Sequence, residues 1–147
     1  MMRVRKAFAA ETVHRELFGQ PLDWGKTDCA QVVFRLCDEC GLDRPKVKAY
    51  NSPGQAVRRL RSLGVDSLQG YMAAHYQEIK PSEALAGDVF GFPADDNRFG
   101  MSLGLVLNHV RGLAIHSVTG AWDHIDRAEA ARLAAEAGTP VRAWRLV

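Results

Sequence analysis

The segment that decides the fold is Leu22-Asp23-Trp24-Gly25-Lys26-Thr27-Asp28-Cys29, followed by an almost continuously apolar run as far as Cys40. The first residues of this segment have the composition of a turn, whereas Asp28 is of a residue type that begins helices. The apolar residues of the run lie at helical spacing, and a glycine follows as a stop. We predict a central helix from Asp28 to Cys40, with Asp28 as its N-cap and Cys29 in its first turn.

Cys29 is the candidate nucleophile. A cysteine in the first turn of a helix lies near the positive end of the helix dipole and near unpaired backbone amides, and both favour the thiolate over the thiol. The alternative is that Cys29 is a small buried hydrophobic residue, as most lone cysteines are. Its position in the sequence leaves both interpretations open.

The rest of the chain predicts further helices first and strands afterwards. Ser52 and Asp126 are predicted N-caps of two of these helices. The expected helices cover residues 6–18, 53–63 and 126–137, and a short further element is expected around 68–74. The expected strands cover residues 88–92, 103–107, 113–117 and 141–146. Because the first three strands follow one another with short connections, they predict an antiparallel meander. This order of elements indicates an α+β fold.

Length and composition exclude several classes of protein. The 147 residues, 47% hydrophobic and 24% charged, fit one globular domain over residues 1–147. A net charge of +2 is too small to suggest a nucleic-acid partner, and we interpret the basic run at 58–61 as a solvated helix face. No apolar run is long enough to span a membrane, and we see no signal peptide. We therefore expect synthesis in a cytoplasm.

The other cysteines, Cys37 and Cys40, have the Cys-x-x-Cys spacing of metal and redox sites. A zinc site needs two further ligands, and the sequence offers no second close pair of Cys or His. Three cysteines cannot all pair within one chain. We predict that Cys37 and Cys40 are buried, unbridged and metal-free, and we expect no cofactor. The loop 94–100 is where we expect mobility.

Several segments, in order, resemble the NlpC-like (papain-like) cysteine peptidase family. The segment ending in Asp28-Cys29 resembles the nucleophile motif, an aromatic residue and a glycine before Asp-Cys. Gly87-Asp88-Val89-Phe90-Gly91-Phe92 resembles the Gly-Asp strand of that family. Ser102 to Leu107 resembles the next strand, which begins with the catalytic histidine in active members, and Leu113 to Ser117 resembles the strand that holds the third polar residue. The resemblance covers about residues 24–118 and looks closest to the small phage tail-associated branch.

This resemblance implies a fold and a function. The fold would be NlpC/papain-like, with a central N-terminal helix packed on an antiparallel sheet. The function would be a phage or prophage tail hydrolase that cuts peptidoglycan stem peptides during DNA entry, located in the virion tail or in the bacterial cytoplasm before assembly. Its partners would be the peptidoglycan peptide and other tail or tail-tip proteins. Cys29 would attack the carbonyl carbon, and backbone amides near the helix start would hold the oxyanion.

One position departs from the family pattern. Ser102 stands where active members carry the general-base histidine, and a serine cannot take a proton near neutral pH. His116 is the best substitute and is our predicted catalytic partner of Cys29. His109, at the following turn, is a poorer candidate, and His124 is a third.

The remaining polar residues receive simpler interpretations. Trp24, Asp28 and Ser102 are predicted to lie at the substrate site, although helix capping is the favoured role of Asp28. We expect His14 and His75 to be surface residues or satisfied core residues.

Two further functions remain open at this point. The loss of the family histidine at Ser102 favours a catalytically inactive structural tail-tip or tail-assembly protein that keeps the fold. A cytosolic amidase or transferase that acts on a small acylated substrate would use the same cysteine.

Overall fold

The structure, a computed structural model, describes residues 2–93 and 98–147, with side chains from Val4 onward. Most of the predicted loop 94–100, including Asp95, Asp96 and Asn97, therefore lies outside the described residues. Within the described part, the helices are α1 Met2–Leu17, α2 Ala30–Cys40, α3 Pro53–Ser62, α4 Leu68–His75 and α5 Arg127–Glu136. The strands are β1 Gln77–Ile79, β2 Val89–Pro93, β3 Met101–Val106, β4 Arg111–Ile115, β5 Trp122–Asp126 and β6 Arg142–Arg145.

The six strands form one antiparallel sheet in the order β1-β6-β2-β3-β4-β5. Alternate residues of β3 point to opposite faces, so that Leu103 and Leu105 join the main core and Val106 joins a smaller cluster on the other face. On the main face, α2 contacts both α1 and β3. The α+β class and the predicted packing of the Cys29 helix on an antiparallel sheet are confirmed.

Two strands were not predicted, and both lie at the edges of the sheet. β1 has three residues and none of them is buried. In β5 only the first residue, Trp122, is buried, and the exposed Asp123 and Asp126 put charge on the edge of the sheet, which disfavours further pairing. Neither strand has the apolar run by which a buried strand is predicted from sequence. Helix α1 also begins earlier than predicted, at Met2 instead of residue 6.

The Gly-Asp motif before β2 is structural in this chain. Asp88 is buried, accepts a hydrogen bond from the Leu85 amide at 2.8 Å and pairs with Arg145 at 2.9 Å and Lys6 at 3.8 Å. Burial lowers the pKa of Lys6 while Asp88 opposes that shift. The motif thus ties α1 to the sheet at β2 and β6.

In the described residues, no helix is both long and apolar enough to cross a membrane.

Candidate functional site

The turn before α2 explains why this segment needs its glycine. Gly25 has a φ of 88°, a left-handed conformation that L side chains rarely adopt, and a Cβ there would overlap the carbonyl oxygen of Tyr50. Its amide donates to Asp28 Oδ2 at 2.7 Å. The turn therefore closes on itself and delivers Asp28 and Cys29 to the start of the helix.

Asp28 organises this turn from a buried position. Its carboxylate accepts from the Gly25 amide, from the Ala30 amide at 3.1 Å and from the Tyr50 hydroxyl at 2.8 Å. Burial raises the pKa of the Asp28 carboxyl, and these hydrogen bonds oppose the rise. The predicted N-cap position was wrong by one residue, because Cys29 occupies it while Asp28 satisfies the Ala30 amide from one residue earlier. Both carboxylate oxygens are engaged within the protein.

The Cys29 thiol does not have the lowered pKa that its place at the helix start predicts. Burial raises its pKa to about 11, and the negative charge of Asp28 adds to the rise. The Leu103 amide and the Ser102 hydroxyl hydrogen-bond the sulfur and lower the pKa by less. The cost of desolvating the thiolate therefore outweighs the stabilisation that the helix dipole gives it, and at neutral pH Cys29 is a thiol.

The sheet separates beside Cys29, between β3 and β4. Pairing of these strands covers Leu105 with Leu113 and Val106 with Gly112, and continuing that register would place Ser102 opposite His116. β3 instead remains paired with β2, and β4 with β5, to the ends of the strands.

The separation leaves the Leu103 amide free for the thiol. Val106 donates to Asp88 on the β2 side, so the amides of Leu105 and Leu103 point toward β4. Leu105 pairs with Leu113 of β4, whereas the Leu103 amide hydrogen-bonds the Cys29 sulfur. The sulfur thus lies at the opening between the two strands.

His116 is held away from a catalytic role by its own turn. Its Nδ1 accepts hydrogen bonds from the amides of Val118 at 3.1 Å and Thr119 at 3.4 Å. A neutral imidazole that accepts at Nδ1 carries its proton on Nε2 and has no second lone pair to receive a proton from Cys29. Among the described residues, no imidazole hydrogen-bonds the Cys29 sulfur.

The other candidate histidines have different partners. His109 lies in the exposed turn after β3, at the opposite end of that strand from Ser102. His124 stacks on Phe18 at 4.7 Å, and its Nε2 lies 2.8 Å from Nε2 of His14. His14, predicted to be a surface or satisfied residue, is satisfied by this contact, and burial followed by the charge of His124 lowers its pKa. His75 is exposed, as expected.

A cleft of about 690 Å³ brings the predicted site residues together. Trp24, Cys29, Ser102 and His116 all line it. The Trp24 ring stacks on Phe99, with ring centroids 5.4 Å apart.

Tyr50, Arg59 and Phe99 also line the cleft, although none of them was predicted to be a site residue. Arg59 belongs to the basic run 58–61 that was predicted to be a solvated helix face, and it is instead half-buried. Tyr50 donates to Asp28, which lies 22 residues earlier in the chain, so only the tertiary structure brings it to the site.

The Cys37 and Cys40 side chains are buried and are free thiols, as predicted. Cys37 Sγ lies 3.4 Å from the Tyr76 hydroxyl. Within residues 2–93 and 98–147, no three His, Cys, Asp or Glu side chains are grouped as a metal site. That this pair binds no metal stays a prediction.

A comparison with protein families adds to this geometry. The model of a domain of unknown function, DUF6950, matches residues 2–145, nearly the whole chain. The chain belongs to the DUF6950 family. None of the curated proteins matches it. The DUF6950 description names no activity.

Proposed function

We propose that this DUF6950 chain is a non-catalytic domain with an NlpC-like fold, whose cleft binds a ligand without cutting it. The observation that carries the proposal is the state of Cys29, a thiol with a raised pKa and no imidazole partner among the described residues. Cleavage of an amide needs a thiolate and a proton donor for the leaving amine. The residues of the site that the structure describes supply neither group.

The arrangement of elements supports the NlpC-like part of the proposal. A cysteine stands at the N-cap of a helix that packs on an antiparallel sheet, and Ser102 is the second residue of the strand whose Leu103 amide hydrogen-bonds that cysteine. This is the spatial order that the sequence resemblance implies. The hydrogen bond between the Ser102 hydroxyl and the Cys29 sulfur supports the proposed correspondence of Ser102 with the family histidine.

An NlpC-like hydrolase of peptidoglycan stem peptides is the second candidate. The observation in its favour is that Cys29 and His116 line the same cleft. For His116 to act as base, its Nδ1 must release the two amides of its turn. The sequence resemblance alone supports a phage tail location and tail-protein partners for either candidate.

The two candidates make opposite predictions for cleavage. Purified wild-type protein is incubated with peptidoglycan fragments, and released peptides are measured by mass spectrometry beside Cys29→Ala. We expect no Cys29-dependent cleavage by the wild type. Wild-type cleavage that is lost in both Cys29→Ala and His116→Ala would establish the hydrolase instead.

Ser102→His tests the NlpC-like part separately. A histidine at this position should contact the sulfur and could restore cleavage, because the missing base is then present. Ser102→Ala is the matched control. If Ser102→His leaves Cys29 as unreactive as in the wild type, the correspondence of Ser102 with the family histidine is wrong.

A further inference from the structure

The deep polar groups of the cleft are already bonded to one another. The Tyr50 hydroxyl donates to Asp28 and accepts from Gln31 Nε2 at 3.1 Å. The Ser102 hydroxyl hydrogen-bonds the Cys29 sulfur. A bound peptide backbone would bring N–H and C=O groups that need partners, and leaving them unpaired in a buried site is costly. A hydrocarbon chain has no polar groups and needs no hydrogen-bond partners there.

Most of the side chains that line the cleft are apolar. Val33, Leu60 and Leu103 are buried residues of the main core that also line the cleft. Trp24 and Phe99 add their stacked rings. The volume of about 690 Å³ lies within the range that suits small-molecule ligands, about 300–1,000 Å³.

The cleft lining includes a guanidinium, that of Arg59, for which the described residues supply no ion-pair partner. Arg59 lines the cleft, and its Nε and Nη2 donate to the carbonyl oxygens of Lys48 at 3.2 Å and Ala49 at 3.0 Å. These two bonds fix the guanidinium, and its Nη1 makes no hydrogen bond within the described residues. No carboxylate of the described part forms an ion pair with it. A fixed guanidinium with a free N–H is suited to bind a carboxylate.

The charged residues near Arg59 in the sequence also favour an anionic ligand group. Residues 44–65 contain six Lys and Arg residues and no Asp or Glu. The carboxylates Asp126 and Glu129 line another part of the cleft, near the start of α5. An anionic group is therefore favoured on the α3 side and disfavoured on the α5 side.

We propose that the cleft binds a long-chain carboxylate, an anionic amphiphile whose acyl chain lies along the apolar lining and whose carboxylate accepts from the Arg59 guanidinium. The proposal rests on the function proposed above, because it names the ligand class for the same non-catalytic cleft. No bond forms or breaks.

The acyl chain is tested by calorimetric titration of the full chain with octanoate, decanoate and dodecanoate below their micelle concentrations. Burial of one more methylene should tighten Kd by about fourfold. Absence of saturable decanoate binding at millimolar ligand, or a Kd that does not depend on chain length, would overturn the proposal. Tight binding of an acidic apolar peptide in place of decanoate would overturn it too.

The carboxylate is tested with Arg59→Gln, which removes the charge and keeps a hydrogen-bonding amide. We expect decanoate to bind about tenfold more weakly and decanol to bind unchanged. Arg58→Gln is the matched control, because Arg58 is the exposed neighbour on α3 and does not line the cleft. Equal losses in the two variants, or an equal loss for decanol, would show that Arg59 does not hold the carboxylate. Circular dichroism melts establish that both variants fold.

The two proposals fail in different experiments. Cleavage of peptidoglycan fragments would refute the non-catalytic function whatever decanoate does. A wild type that neither cleaves nor binds decanoate refutes only the ligand class.

Discussion

The raised pKa of Cys29 predicts slow alkylation of the native protein. At pH 8, a thiol with the ordinary pKa of 9.0 is about one-tenth thiolate, whereas a thiol with a pKa of about 11 is about one-thousandth thiolate. Iodoacetamide reacts with the thiolate. Native Cys29 should therefore react about a hundredfold more slowly than the same cysteine in the unfolded chain.

The assay follows the Cys29-containing peptide by mass spectrometry, with the protein in urea as the reference, so that Cys37 and Cys40 do not interfere. The rate is measured from pH 7 to about pH 10.5. A buried but ordinary thiol would level off above pH 9, whereas a raised pKa predicts that the native rate still increases about tenfold per pH unit there.

Two results would refute this reasoning. One is native alkylation within about threefold of the unfolded reference at pH 8. The other is a native rate that falls in His116→Ala, because the imidazole would then be activating the thiol. Ser102→His should instead raise the rate at pH 7 by at least about tenfold, since an imidazolium beside the sulfur stabilises the thiolate.

Three stability measurements test the structure around the cleft and the sheet. The pKa of Cys29 is higher in the folded than in the unfolded chain, so its stabilisation is present below pH 9 and is lost as pH rises toward 11. Between pH 8 and about pH 10.5, the free energy of unfolding from denaturant titrations should fall by about 2 kcal/mol more in the wild type than in Cys29→Ala. The same pH dependence in both proteins would contradict the raised pKa of Cys29. Gly25→Ala should lower the free energy of unfolding by well over the roughly 1–2 kcal/mol that a left-handed conformation costs an L residue, because the added Cβ also meets the backbone of Tyr50. In the control Gly19→Ala, at φ 79°, the Cβ has open space, so only the conformational cost is expected. Equal losses in the two variants would contradict the structure. Asp88→Asn should lower the free energy of unfolding by about 3–5 kcal/mol, because Lys6 and Arg145 lose their carboxylate partner. The control Asp43→Asn changes an exposed residue and should have little effect. A thermal melt that is unchanged in Asp88→Asn would disprove the buried ion pairs.

The sequence predicts the central elements of this fold because their signals are local. The predicted helices and the strands of the meander all occur, and Ser52 and Asp126 cap their helices through side-chain bonds to the amides of Gln55 and Glu129. The edge strands were missed because few of their residues are buried. Their pairing depends on partners distant in sequence, such as β6 for β1.

The site is harder to predict than the fold. Trp24, Cys29, Ser102 and His116, which the sequence resemblance predicts as site residues, all line one cleft, while their catalytic and binding roles stay predictions. The protonation state of Cys29 could not be predicted from the sequence. The sequence shows that Cys29 lies at a helix start, where the dipole lowers a thiol pKa, but the burial that raises the pKa by more depends on tertiary packing. The bonds of His116 within its own turn likewise depend on the backbone of residues 116–119, which no motif specifies.

The place of β6 in the sheet has a consequence for the order in which the chain folds. β6 lies between β1 and β2, although β1 and β2 are nearer to each other in sequence. During synthesis, β1 therefore emerges from the ribosome long before its partner β6, and the hydrogen bonds from Gln77 to Ile79 must wait for residues 142–145. Arg145, which completes the ion pairs of Asp88, arrives in the same step. Pulsed hydrogen exchange during refolding should accordingly protect the amides of β3 and β4 before those of β1, since closing the loop between residues 79 and 142 is an entropic cost that the short β3–β4 turn avoids.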